Sequence, residues 1–344
     1  MPNLFRLVFV TIFCLPLTCI SQIGGNGIFK IANLPMSARV ASLGGIVNAV
    51  FDNDPTITIQ NPALLNKQMD RKFGINYLNH LNSVAFGSIS YTKFLNKYNI
   101  TASSGLLYIN YGDINKRDEL NSDLGITSPN ELCLYASAAQ NYKRLSYGGS
   151  VKLLYSQLDV YKSAATAVDA GLSYIDTANG FIGSVVVRNL SLQISSYNGI
   201  RENLPLDIQL GFSIKPKYAP LRLGIIIHDL QRFDYTYINT NKQVQTDFAT
   251  GLPISQKVKT SEKIARHFII NGEFLVTKNF NIRLGYNHQI RKEMALDNAK
   301  GLVGYSAGVG FRVKRFHISY GRLGLSASGA TNSFSIITNI NDWL

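Results

Sequence analysis

A chain of 344 residues with 34 Lys+Arg against 21 Asp+Glu has a formal charge of +13, yet only 16% of its residues are charged and 11% are aromatic. The length fits one large domain or two ordinary ones. So few charges beside 28 Gly and 18 Tyr are unusual for a soluble enzyme; they suit a large sheet protein with small inward residues and aromatic borders.

The N-terminus reads MPNLFRLVFVTIFCLPLTCISQ. Arg6 precedes an apolar run from Leu7 to Leu17, and Cys19 and Ser21 are small residues at positions −3 and −1 of a cut before Gln22. Residues 1–21 are therefore expected to be a cleaved signal peptide. A membrane anchor would need about 20 apolar residues, more than this run supplies. A lipobox at Cys19 is disfavoured by Thr18 and Pro16. Cleavage would remove Cys14 and Cys19, leave Cys133 alone and exclude an intramolecular disulfide. It would take only one charge, Arg6, leaving 33 basic against 21 acidic residues, or +12. No later segment holds 18 consecutive apolar residues, so a membrane could be crossed only by a closed barrel, which satisfies every backbone polar group.

Residues 22–70 differ from the rest of the mature chain. A helix-like start at Ser37 is followed by Gly44-Gly45, Asp52-Asn53-Asp54 and Asn61-Pro62-Ala63. This reads as an irregular lead segment with short helices. Pro62 fixes its own φ and restricts Asn61, making a rigid bend.

From residue 71 to 344 the chain reads as strand after strand, about fourteen at roughly the 9–11-residue membrane length. They fall at 73–79, 84–92, 98–110, 131–141, 145–156, 165–176, 181–188, 206–215, 221–230, 265–277, 280–290, 302–313, 316–323 and 332–340. In PLDIQLGFSIK, for example, Leu206, Ile208, Leu210, Phe212 and Ile214 alternate with Asp207, Gln209, Gly211, Ser213 and Lys215. Period two sends successive side chains to opposite faces. The apolar set is expected to face lipid, and the Gly, Ser, Asn and Arg set the lumen. Inward glycines leave room for a plug, for which residues 22–70 are the candidate.

The connections near 93–97, 142–144, 177–180, 216–220, 278–279 and 314–315 are short. Those near 111–130, 157–164, 189–205, 231–264, 291–301 and 324–331 are mostly longer and polar, with only the turn near 80–83 out of step. That alternation matches the short periplasmic turns and long extracellular loops of outer-membrane barrels. Tyr91, Tyr98, Tyr108, Tyr142, Tyr155, Tyr174 and Phe280 would form interfacial girdles. The competing reading is a soluble secreted β-protein with one buried face.

Little in the sequence carries chemistry. His80, His228, His267, His288 and His317 are scattered, without zinc spacing, and Gly308-x-Gly310 lies inside a strand. Asp52-Asn53-Asp54 begins like a calcium loop, but Pro55 comes next and the required Gly and Glu are missing, so capping or plug positioning is the better reading. No catalytic residue, metal or cofactor is implied. Lys242, Lys257, Lys259, Lys263 and Arg266 lie in or beside the longest outer loop, either as contacts for lipopolysaccharide or a partner, or as solvated charges. Nucleic acid is not an expected partner of an exported barrel.

NLPMSARVASLGG (33–45), DND (52–54) and QNPALLN (60–66), with SASGATNSFSIITNIN (326–341), resemble the two ends of the PorQ family, outer-membrane components of the type IX secretion system in Bacteroidetes. That resemblance implies a FadL-like fourteen-stranded barrel whose N-terminal hatch carries an Asn-Pro-Ala element, matched here by Asn61, Pro62 and Ala63. It implies anchoring rather than catalysis: a surface protein of the PorZ type would dock on the outer loops, in one complex with PorU and PorV. The alternative is a FadL-type uptake channel for hydrophobic small molecules, with the hatch as gate. A general porin is disfavoured because a plug would block free diffusion.

Overall fold

Alternating side chains make a strand two-faced, and a sheet with one oily and one polar face can hide its edges by closing on itself. The computed structural model, which describes residues 28–79, 84–199, 201–202, 204–234, 258–295, 301–326 and 329–343, takes that solution. Residues 1–21, the turn at 80–83, and Lys242 and Lys257 lie outside the described residues. No helix among the described residues is long and apolar enough to cross a membrane.

The strands are β1 (Lys72–Asn79), β2 (Ala85–Leu95), β3 (Ile100–Asn110), β4 (Ile114–Arg117), β5 (Asp123–Thr127), β6 (Asn130–Tyr142), β7 (Leu145–Leu158) and β8 (Tyr161–Asp176). They continue as β9 (Phe181–Ser195), β10 (Asp207–Ile214), β11 (Leu221–Ile227), β12 (Phe268–Phe274), β13 (Phe280–Asn287), β14 (Tyr305–Val313), β15 (Phe316–Ser326) and β16 (Gly329–Asn339). Fourteen of them form one closed antiparallel barrel; β4 and β5 form a separate two-stranded sheet between β3 and β6. Closure is made by β1 on β16, from Lys72 opposite Asn339 to Asn79 opposite Asn332.

The two faces separate as the alternation predicts. On β7, Tyr147, Val151 and Leu153 are exposed, while Ser146, Ser150 and Lys152 are buried. On β13 the outward Ile282 and Leu284 alternate with the buried Arg283. Exposed Tyr98, Tyr142 and Tyr174 gather at the short-turn end and Tyr108 and Tyr155 at the other, bordering the apolar band on both sides.

Two expected outer loops are strand instead. Leu158 pairs with Tyr161 and Ser326 with Gly329, so residues 157–158, 161–164, 324–326 and 329–331 are sheet. Ladder hydrogen bonds need no apolar face, so polarity there marks water rather than a loop. Conversely, the strand expected over 280–290 stops at Asn287, whose side chain accepts from the Ile290 amide and caps a helix over His288–Met294.

Candidate functional site: the barrel lumen

The inward wall is built of small and polar side chains. Ser137 and Ser150, and Ser173 and Ser184, join across neighbouring strands at 2.8 Å each. Against this wall lies the lead segment. Of residues 55–66 every one is buried, and the segment's hydrogen bonds reach β6, β7, β8, β10, β13, β14 and β16.

Near the long-loop end, the Ile31 amide of the lead segment donates to Glu131 of β6 at 3.1 Å. Ser37 caps α1 (Ala38–Ser42) by accepting from the Val40 amide, and the Ala38 amide donates to Ser335 of β16 at 2.8 Å. Gly44 and Gly45 end the helix in the left-handed region, both at φ +94°. Gly44 must also be bare: a Cβ there would lie 2.5 Å from Ile269 of β12. The wall reciprocates, since a Cβ at Gly321 of β15 would meet the Ala38 carbonyl oxygen at 2.1 Å.

Asn61, Pro62 and Ala63 form the bend the sequence suggests. The Asn61 side chain accepts from the Ala63 amide and donates to the Asn48 carbonyl and to Ser173 of β8. Pro62 occupies the first position of a short 3-10 turn, where its missing N–H costs nothing. Ser146 of β7 donates to the Ala63 carbonyl at 2.5 Å.

Asp52 and Asp54 serve a charge cluster that spacing does not reveal. Arg39 of α1 reaches Asp52 at 2.7 Å, Asp54 at 3.2 Å and Glu273 of β12 at 2.8 Å. Glu273 also meets Arg222 of β11 and, at 3.2 Å, Arg283 of β13. Burial alone would raise the Asp52 pKa, but Arg39 and Arg222 outweigh it and hold the carboxyl at about 2. The same carboxylates overcome the burial that would lower the Arg39 pKa and raise it instead. Asp54 additionally caps the turn at Pro55–Ile57 through the Thr56 amide. The only hints to this cluster in the sequence are charges at inward positions of β11, β12 and β13.

A second ion pair, Lys152 of β7 with Asp169 of β8 at 2.6 Å, is fully buried. Lys152 also donates to Asn189, whose positive φ of 58° marks the register shift in β9. Beside it the lumen changes character. Phe29, Ile31 and Met36 of the lead segment pack with Phe86, Leu107, Ile109, Cys133 and Leu154 of the wall, all buried. Cys133 is a free cysteine.

Of the proposed outer contacts, Lys259, Lys263 and Arg266 fall among the described residues. Lys259 is exposed, but Lys263 is paired with Asp234 at 2.5 Å and Arg266 lies 3.7 Å from Glu262. Lys263 and Arg266 share their charge with neighbouring carboxylates.

No family model matches this sequence, and no curated protein does. Among solved structures, the Pseudomonas putida toluene transporter TodX is similar over 88% of this chain and 96% of its own, with 12% identity and a TM-score of 0.51. A deltaS2 mutant of the TodX monoaromatic hydrocarbon channel gives 12% identity, 89% and 98% coverage and a TM-score of 0.51. The Ralstonia pickettii toluene transporter TbuX gives 12%, 89% and 97%, with a TM-score of 0.49. At such identity the likeness is one of fold. It is the FadL-like outer-membrane barrel expected from the sequence; none of these three structures is a secretion component.

Proposed function

We propose that the chain is an outer-membrane uptake channel for small hydrophobic molecules, with the lead segment as the hatch of its lumen. One observation carries this reading: at the long-loop end the lumen carries a large apolar cluster, lined by Phe86, Leu107, Ile109 and Leu154 and covered by Phe29 and Ile31. A water-filled pore has no use for such a surface, whereas an apolar solute leaving water gains about 25 cal/mol for each Å² it buries there. The fold shared with a toluene transporter supports the same class of cargo. The lumen is occupied, so passage requires the lead segment to shift. The test is binding of a fluorescent aromatic hydrocarbon to the purified full-length protein in detergent. Saturable binding that Leu107→Asp weakens at least about tenfold supports the reading; binding indifferent to this change refutes it.

A second reading, docking of a surface protein as the type IX resemblance implies, is favoured by one feature. Leu120, Leu124 and Ile126 on the β4–β5 excursion and Val160 at the β7–β8 tip are exposed at 87%, 57%, 65% and 73%. Such a ledge beyond the membrane would suit a PorZ-type partner. Affinity purification from outer membranes tests it: a large surface protein recovered with the wild type and lost with Leu124→Asp and Ile126→Asp supports anchoring. Its recovery with both variants counts against this ledge.

A further inference from the structure

The excess positive charge is gathered at one end of the barrel. The six short turns (96–99, 143–144, 177–180, 215–220, 275–279 and 314–315) hold eight Lys or Arg and no Asp or Glu. At the other end, the described residues connecting the strands, with the β4–β5 excursion, hold nine basic against ten acidic residues. We propose that the short-turn end is a cationic collar that binds the headgroups of anionic phospholipids in the inner leaflet of the outer membrane.

The side chains are arranged for that depth. Lys97 lies over Tyr98 at 5.5 Å, Lys143 over Tyr142 at 5.5 Å and Lys217 over Tyr218 at 5.7 Å. Arg315 lies over Trp343 at 5.1 Å. In each pair an exposed aromatic ring at the edge of the apolar band supports a cation above it. Aromatic rings settle at the headgroup level, so the cations stand where phosphates are. Of the acids at this end, Asp70 accepts from the Phe94 amide and Asp176 accepts from Asn179 and is ion-paired with Arg144 at 3.5 Å, while Asp342 is exposed.

The distribution selects lipid over one protein partner, because cations occur in five of six turns around the ring rather than in one patch. A closed annulus of headgroups meets every turn at once. Only the usual orientation of such barrels, short turns inward, is required, whatever the lumen carries.

The test uses the full-length protein in nanodiscs of phosphatidylethanolamine and phosphatidylglycerol, followed by native mass spectrometry of the lipids retained in detergent. The collar variant is Lys97→Gln, Lys143→Gln, Lys217→Gln and Arg315→Gln; a control at the other end is Arg117→Gln, Arg232→Gln, Lys259→Gln and Lys292→Gln. Heat-modifiable gel migration reports folding, and Lys97→Gln and Lys217→Gln alone serve if the fourfold collar variant does not fold. The wild type and control are expected to retain phosphatidylglycerol at least about fivefold over its share, and the collar variants less. Equal retention by all proteins overturns the proposal. So does retention abolished by inorganic phosphate, which assigns the collar to a simple anion, or collar-dependent binding of polyglutamate without lipid preference, which assigns it to an acidic protein segment.

Discussion

Arg39 and Glu273, 234 residues apart in sequence, meet as a two-pronged pair: Nε donates to Oε1 and Nη2 to Oε2, each at 2.8 Å. Both side chains are buried, at 7% and 3% exposure, so neither charge has water to fall back on. The pair ties the lead segment to the barrel wall. Removing Arg39 leaves Glu273 held by Arg222 and Arg283 but takes from the buried Asp54 its ion-pair partner, at a cost of up to about 3–5 kcal/mol. Arg39→Met should therefore lower the urea midpoint of the folded protein in micelles and make the lead segment protease-sensitive while the strands stay protected. An unchanged midpoint would mean the pair is not coupled to folding.

The same cluster sets an acid limit. The folded Asp52 carboxyl, at about 2, lies below its ordinary value of 3.8. A depressed carboxylate stabilises the fold above its unfolded pKa, and that contribution is lost as pH falls through the folded one. Stability should accordingly drop by roughly 1–2 kcal/mol between about pH 4 and pH 2. In Asp52→Asn that increment should shrink, as read by urea unfolding across the pH series.

Gly321 tests how closely the lead segment approaches the wall. A Cβ there would collide with the Ala38 carbonyl at 2.1 Å, and backbone cannot rotate aside as a side chain can. Gly321→Val should cost about 1–3 kcal/mol, or displace α1 from β15. Displacement would appear as higher single-channel conductance in planar bilayers; Ala307→Val, changed on the outward face of the neighbouring strand, should leave conductance unaltered.

On the outer face, Leu284 is 61% exposed in the middle of the apolar band. Leu284→Lys should destabilise the protein in lipid by about 2–4 kcal/mol. The change in the refolding equilibrium in lipid vesicles measures it, and a neutral result would place that face in water.

The fourteen strands are legible in the sequence because lipid and lumen impose opposite demands on neighbouring residues, and Leu206 to Lys215 record that demand directly. The helix start at Ser37 and the bend at Pro62 are legible for local reasons, capping chemistry and a fixed φ. Residues 157–158, 161–164, 324–326 and 329–331 read as loops yet form sheet, because backbone pairing continues where side chains turn polar. Arg39 and Glu273 are illegible for another reason: their partnership is made by closure of the ring, and no local spacing encodes it. The collar is hidden in a related way. The lysines of the longest loop stand out in the sequence, while the cations that lack acidic neighbours in their own turns are spread over the short-turn end and come together only when the ring closes.

A closed sheet with lipid outside and the lead segment within is the central claim, and nitroxide labels placed singly along Leu145–Leu158 of β7 test it most directly. In bilayers, labels at Tyr147, Gly149, Val151 and Leu153 should be reached by oxygen, while those at Ser146, Gly148, Ser150 and Lys152 are reached by neither oxygen nor a water-soluble nickel chelate. Accessibility without a period of two, or nickel access along both faces, would contradict it.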